Sequence, residues 1–137
     1  MIRRLALLLV VSAAALALAG TASAKLTFFK SPSGNIGCAI TGKFVRCDIR
    51  NHSWPTPPPP ADCDVDYGFG VSVGKHGRGS FVCAGDTVLD PSADVLPYGE
   101  RIIAKRMRCA SKQKGVRCVN RSNHHGFFLS RDDVRLF

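Results

Sequence analysis

The 137-residue sequence has no long hydrophobic segment after its first 24 residues. A helix that spans a membrane needs about 20 consecutive apolar residues, so none is expected in the remainder. The remainder also lacks the G-x-S-x-G elbow of serine hydrolases and the glycine spacing of phosphate-binding loops. No two cysteines lie as close in sequence as zinc sites favour. We therefore expect neither a metal site nor a cofactor.

The first 24 residues have the features of a secretory signal peptide. MIRR is positively charged, an apolar run follows it, and the small residues Ala22 to Ala24 form a cleavage site. Cleavage after Ala24 would leave residues 25–137, a suitable length for a single domain. We expect this domain outside the cell, secreted or associated with the cell wall.

Six cysteines lie in the expected mature chain, and an even number in a small exported domain favours disulfides. The frame C-A-x-x-x-K-x-V-R-C occurs twice, at residues 38–47 and 109–118. In the first copy, a two-residue turn at Gly42-Lys43 pairs Cys38 with Cys47 as non-hydrogen-bonded neighbours. A cross-strand disulfide is favourable there, and glycine at the first turn position favours a type II′ turn.

The second copy of the frame is less regular. A turn at Gln113-Lys114 would pair Cys109 with Cys118 in the same way. Gln and Lys are unfavourable residues for a tight turn, however, and Gly115 could instead form a bulge that shifts the register. The remaining cysteines, Cys63 and Cys83, form the third disulfide by elimination.

The rest of the chain predicts strands and loops. Five prolines from Pro55 to Pro60 predict an extended surface loop, with a proline-rich ligand for an aromatic groove as the less favoured alternative. Four further strands are expected, at residues 67–73, 79–83, 101–109 and 126–130. Ser130 with Asp133 resembles a capping box, which predicts a short C-terminal helical turn. The expected fold class is all-β, a small disulfide-stapled domain of antiparallel hairpins.

Acidic residues are scarce where basic ones are dense. Without Arg3 and Arg4 the chain has 17 basic against 10 acidic side chains. No acid lies among the eight basic residues of the segment 101–121, which are Arg101, Lys105, Arg106, Arg108, Lys112, Lys114, Arg117 and Arg121. Such a balance favours polyanions as partners.

Four of these arginines form the candidate binding site. The second hairpin pairs Arg106 with Arg121 and places Arg108 and Arg117 diagonally on the same face. Like charges on one face repel each other, and an anionic polymer would relieve this repulsion. Wall polymers, nucleic acids and lipid head groups all qualify, and the alternative is a solvated face that keeps the domain soluble.

The alternative function is a small secreted phosphodiester hydrolase of the ribonuclease type. Such an enzyme needs a general acid and a general base beside a cationic phosphate site. The available groups are His52, His76, His124, His125 and the single glutamate, Glu100. No sequence spacing connects them, so we expect no catalytic residues. Convergence of His124, His125 and Glu100 in one pocket would favour the hydrolase.

Seven segments between Phe29 and Arg131 carry a resemblance to a known family. In order they read FKSPSGNIGC, VRCDI, CDVDYG, FVCAGDT, LPYG and GVRCVN with GFFLSR. The series resembles a family of small secreted domains of unknown function from high-GC Gram-positive bacteria. This resemblance implies export, disulfides and one β-rich domain, and it implies no ligand and no catalytic residue.

Overall fold

The computed structural model describes residues 25–137, and the predicted signal peptide lies outside them. The described chain forms eleven β-strands in two sheets and contains no helix. Accordingly, no helix in this range is long and apolar enough to cross a membrane. The all-β prediction is confirmed.

Six strands form the first sheet: β1 (Thr27–Lys30), β2 (Ile36–Ile40), β3 (Val45–Ile49), β4 (Tyr67–Val73), β5 (Ser80–Cys83) and β6 (Asp94–Val95). Their order is β5-β4-β3-β2-β1-β6, and only the β1–β6 pair is parallel. The second sheet contains β7 (Arg101–Ala104), β8 (Met107–Lys112), β9 (Gly115–Asn120), β10 (Gly126–Leu129) and β11 (Val134–Leu136). It is antiparallel throughout, in the order β11-β10-β9-β8-β7.

The two copies of the cysteine frame are the hairpins β2–β3 and β8–β9. Cys38 lies opposite Cys47, and Cys109 lies opposite Cys118, with a Cα–Cα distance of 4.1 Å in both pairs. The third disulfide joins Cys63, in the loop before β4, to β5. All three predicted pairings are confirmed. Each hairpin bridge closes a short loop, which contributes about 2.5–3 kcal/mol in the chain-entropy model.

The two sheets pack against each other through these hairpins. Both hairpin disulfides are fully buried, and the Cys47 sulfur lies 3.9 Å from the Cys118 sulfur. Phe127, Ile40 and Met107 are among the fully buried side chains around them. Each copy of the frame therefore supplies one side of the core, which explains why so short a chain contains it twice.

The turn of the first hairpin differs from the prediction. Gly42 does not have the positive φ that a type II′ turn requires. The hydroxyl of Thr41 instead accepts hydrogen bonds from the N–H groups of Lys43 (3.1 Å) and Phe44 (3.2 Å). A side-chain oxygen thus takes the place of the backbone carbonyl that the type II′ prediction assumed.

The second hairpin resolves the open choice of register. Gly115 pairs directly with Lys112, so the turn contains only Gln113 and Lys114, and the bulge alternative is wrong. Residues 101–109, in contrast, are not one strand. Lys105 adopts a φ of 52°, and the chain reverses there to form β7 and β8.

The predicted C-terminal helical turn is also wrong. The Ser130 hydroxyl accepts the Asp133 N–H at 2.9 Å, as a capping residue would. The Ser130 N–H, however, donates to the Asp133 carbonyl at 2.8 Å, which closes a turn between two strands. Val134 and Leu136 then lie in strand β11, which pairs with β10, and both side chains face the core.

The proline segment 55–60 contains no strand and is largely exposed, as predicted.

Candidate functional site

The outward surface of the second sheet, which we call the basic face, carries four of the eight cations of the segment 101–121. Side chains alternate between the two sides of a strand, and Ile102, Cys109, Cys118, Phe127 and Leu136 face the core. The basic face consists of the intervening residues Arg101, Ile103, Arg108, Ala110, Lys112, Arg117, Val119, Phe128 and Arg135.

Strand pairing aligns three of these arginines in one line across the strands. The line, which we call the arginine row, runs Arg135, Phe128, Arg117, Ala110, Arg101. Neighbouring strands are about 4.8 Å apart, so the arginines on every second strand are roughly 10 Å apart at the backbone. Sequence reasoning missed this row because it placed β7 and β8 in one strand and did not predict β11.

Two aromatic rings support the arginines of the row. The Arg135 guanidinium carbon lies 4.5 Å from the Phe128 ring centroid, and that of Arg117 lies 4.8 Å from the Phe137 ring centroid. Such cation–π contacts contribute about 0.5–1 kcal/mol at exposed sites. Arg135 also pairs with Asp133 at 3.0 Å. The rings hold the guanidinium groups along the surface. The Arg117 guanidinium forms no ion pair among the described residues, whereas Arg135 uses its Nε for Asp133.

The repeated frame provides an internal comparison for Arg117. Arg46 occupies the same position in the first copy, and its guanidinium contacts Asp48 and Asp86 at 2.9 Å each. Two residues after Arg117 the chain has Val119 where the first copy has Asp48. Among the described residues, Arg117 and the other seven cations of the segment 101–121 form no ion pair. The first arginine is neutralised by the protein and the second is not.

The neutralised arginine fastens a loop to the outside of the first sheet. Burial lowers the pKa of Arg46, but its hydrogen bonds to Asp48 and Asp86 outweigh burial and raise the pKa above its usual value. The same hydrogen bond from Arg46 lowers the pKa of Asp86. Asp48 also accepts hydrogen bonds from the Thr87 hydroxyl (2.9 Å) and the Val88 N–H (3.0 Å). The VRCDI and AGDT segments therefore meet in a structural network.

The four arginines predicted as a binding site lie in two places. Arg108 and Arg117 belong to the basic face. Arg106 lies in the turn between β7 and β8, and its carbonyl accepts the Arg121 N–H at 2.8 Å. Both Arg106 and Arg121 are exposed at the end of the sheet, beyond the strands themselves.

The residues considered for a hydrolase do not meet in one pocket. His124 and His125 lie in the loop between β9 and β10, at the end of the sheet that also contains the β7–β8 turn. Glu100 directly precedes β7 and therefore lies at the opposite end. His76 lies in the turn between β4 and β5. Within residues 25–137, no group of three or more His, Cys, Asp or Glu could hold a metal ion.

His52 has a packing role at the edge of the core. Its ring stacks on Trp54 with 3.5 Å between centroids, and its Nδ1 lies 2.8 Å from the Trp54 carbonyl oxygen. The Trp54 indole N–H donates to the Ser130 carbonyl at 2.8 Å. These contacts join the start of the proline loop to the β10–β11 turn.

No curated protein and no solved structure matches the chain. A family model matches residues 4–137, which include every residue that the structure describes. The family has no assigned function, so membership transfers neither a ligand nor a catalytic residue. On this match, the chain belongs to DUF6636, a family of unknown function.

Proposed function

We propose that the protein is an exported, non-catalytic binding domain whose basic face contacts an extended anionic polymer. The observation that carries this proposal is the set of eight cations between Arg101 and Arg121 that have no ion-pair partner among the described residues. Arg46, at the equivalent position of the first hairpin, shows that this fold can neutralise the same side chain where its charge is not used.

The arrangement of the cations supports an extended ligand rather than a compact one. A polymer that lies across the strands would meet Arg135, Arg117 and Arg101 in turn, at intervals of roughly 10 Å. This interval is close to the Debye length of about 10 Å at 0.1 M salt, so the repulsion between Arg117 and Arg101, which have no ion pair among the described residues, is only partly screened. Binding a polyanion would remove that repulsion.

Export is the other part of the proposal. Three disulfides are typical of proteins that fold in an oxidising compartment, and the predicted signal peptide supplies the route. The hydrolase alternative has less support, because Glu100 and the pair His124-His125 lie at opposite ends of the second sheet.

The experiment is retention of the purified protein on heparin, RNA and teichoic-acid matrices across a salt gradient. The double variant Arg101→Ser/Arg117→Ser removes two exposed cations of the arginine row. Its matched control, Lys43→Ser/Lys75→Ser, removes two exposed cations from hairpin turns of the first sheet. We expect steeply salt-dependent retention of the wild type, and earlier elution of the arginine variant than of its control.

Both variants should fold normally, because exposed charges contribute little to stability. Circular dichroism checks this before the columns are run. Elution of the two double variants at the same salt concentration would mean that total charge alone governs retention, and the basic face would then be only a solvated surface.

A further inference from the structure

An open cleft of about 740 Å³ lies at one end of the arginine row. Its volume is in the range of sites that hold small ligands, about 300–1,000 Å³. Three segments form its walls: the loop 31–35, the β8–β9 turn at 112–115 and the β10–β11 turn at 130–133. Phe128 and Arg135 of the arginine row also line it, so a polymer on the row can continue into the cleft.

Hydrogen bonds fix the walls of the cleft in advance of any ligand. The Asn35 side-chain amide donates to the Asn51 carbonyl, and the Asn51 N–H donates to the Asn35 side-chain oxygen, both at 2.9 Å. The Ser31 hydroxyl accepts the Ile36 N–H at 3.1 Å. The Ser130–Asp133 turn is closed by three hydrogen bonds. Such a site loses little conformational entropy on binding.

The charges of the cleft favour an anionic ligand. Its cations are Arg50, Lys112, Lys114, Arg131 and Arg135, and its acids are Asp132 and Asp133. Arg135 pairs with Asp133 at 3.0 Å, whereas the other four cations have no ion pair among the described residues. The cleft therefore keeps a positive excess after its internal pairing.

Other groups of the cleft favour a ligand that also carries hydroxyls. A carboxylate such as Asp132 only accepts hydrogen bonds, so it would repel a phosphate chain but bind a hydroxyl. Ser33 and Gln113 add a hydroxyl and an amide, each of which both donates and accepts. Tyr98 is 49% exposed and offers an apolar ring surface, against which the less polar face of a sugar ring can pack.

We infer that the cleft binds sugar residues of an acidic polysaccharide, that is, sugar rings that carry carboxylate or phosphate groups at intervals. This inference rests on the proposed function, because the arginine row contacts the continuation of the same polymer. It names the polymer class, which the basic face alone does not. A nucleic acid fits the cleft less well, because every nucleotide carries a phosphate that Asp132 would repel, whereas a polysaccharide charged at intervals can place hydroxyl groups beside Asp132.

Fluorescence anisotropy with two labelled probes tests the inference. One probe is a uronic-acid oligosaccharide, and the other is a single-stranded oligoribonucleotide with the same number of charges at the same ionic strength. We expect the purified protein to bind the oligosaccharide about tenfold more tightly than the RNA. Lys114→Ser/Arg131→Ser and Tyr98→Ala should each weaken oligosaccharide binding, the double variant by about tenfold.

The control is again Lys43→Ser/Lys75→Ser. Lys43 occupies in the first frame the position of Lys114 in the second, and Gly42 beside it lies against Lys105, away from the cleft. This variant should keep its affinity for the oligosaccharide within a factor of about two. Tyr98→Ala changes no charge, so a loss in that variant reports contact rather than general attraction.

The outcomes separate the inference from the proposed function. If RNA binds as tightly as the oligosaccharide, or if both cleft variants bind like the wild type, the inference is wrong. In that case the proposed function still stands, provided that Arg101→Ser/Arg117→Ser lowers retention on the polyanion matrices. If neither probe binds and no matrix retains the protein, both are wrong.

Discussion

Replacing Asp48 by asparagine should lower the free energy of unfolding by about 3 kcal/mol, although the two side chains have nearly the same shape. The buried carboxylate accepts four hydrogen bonds, which come from Arg46 Nε, Arg46 Nη2, the Thr87 hydroxyl and the Val88 N–H. The asparagine amide has one oxygen and one NH₂ group. In either orientation its NH₂ group faces some of these four protein donors and cannot accept their hydrogen bonds. Each hydrogen bond to a charged group contributes about 1.5–3 kcal/mol.

Urea unfolding of the oxidised protein measures this loss through the fluorescence of Trp54, the single tryptophan, which is 8% exposed. With a urea dependence of about 2 kcal/mol per M, the midpoint should fall by about 1.5 M. Hydrogen exchange at the Val88 amide should accelerate, because its acceptor is weakened. The control is Asp86→Asn, which changes the exposed partner of Arg46 and should lower the midpoint by much less than Asp48→Asn does.

Equal midpoints for Asp48→Asn and the wild type would contradict this reasoning, because the buried pair would then contribute nothing. Equal losses for Asp48→Asn and Asp86→Asn would contradict it in a different way. The exposed contact would then matter as much as the buried one.

Two further predictions concern the same network. Gly70→Ala should destabilise the protein, because a Cβ at residue 70 would collide with the buried Asp48 carboxylate. A Cβ at Gly74 meets no atom within 4 Å, so Gly74→Ala should be tolerated. Thermal unfolding of the two variants measures the difference. Because the hydrogen bond from Arg46 lowers the pKa of Asp86, the stability from this pair is fully present above about pH 4 and is lost as the pH falls through the lowered pKa. As the pH is lowered from 7 to 2.5, the urea midpoint should therefore fall less steeply for Asp86→Asn than for the wild type. The same decrease of the midpoint in both proteins would contradict this.

The hairpins could be predicted from the sequence because their determinants are local. Alternation of apolar residues, the spacing of each cysteine pair and a two-residue turn all agree on one register for residues 36–49. The reversal of the chain at Lys105, between β7 and β8, has no such local sequence signal. Lysine is not a turn-forming residue, and its φ of 52° is imposed by the pairing of β7 with β8. Strand β11 was missed because Ser130 and Asp133 make the same hydrogen bond at a helix start as in this turn.

For the candidate site, only the excess of basic residues could be predicted from the sequence, and not their arrangement in space. The acid-free segment 101–121 is visible in the sequence, but the alignment of Arg101, Arg117 and Arg135 depends on the registers of four strand pairs. The neutralisation of Arg46 by Asp86 likewise joins residues 40 positions apart. The cleft is formed by three segments distant in the chain, so no local pattern indicates it.

The contact between the hairpin disulfides has a consequence for the redox chemistry of the domain. The Cys47 and Cys118 sulfurs, 3.9 Å apart, face each other across the two sheets, so a free thiol on either hairpin would lie within reach of the other bridge. Thiol–disulfide exchange would then connect the sheets by a non-native bond. We therefore expect each hairpin to close its own bridge before the sheets dock. Once they have docked, reductants reach these four sulfurs only when the sheets separate, whereas the Cys63–Cys83 bridge stays accessible at the surface.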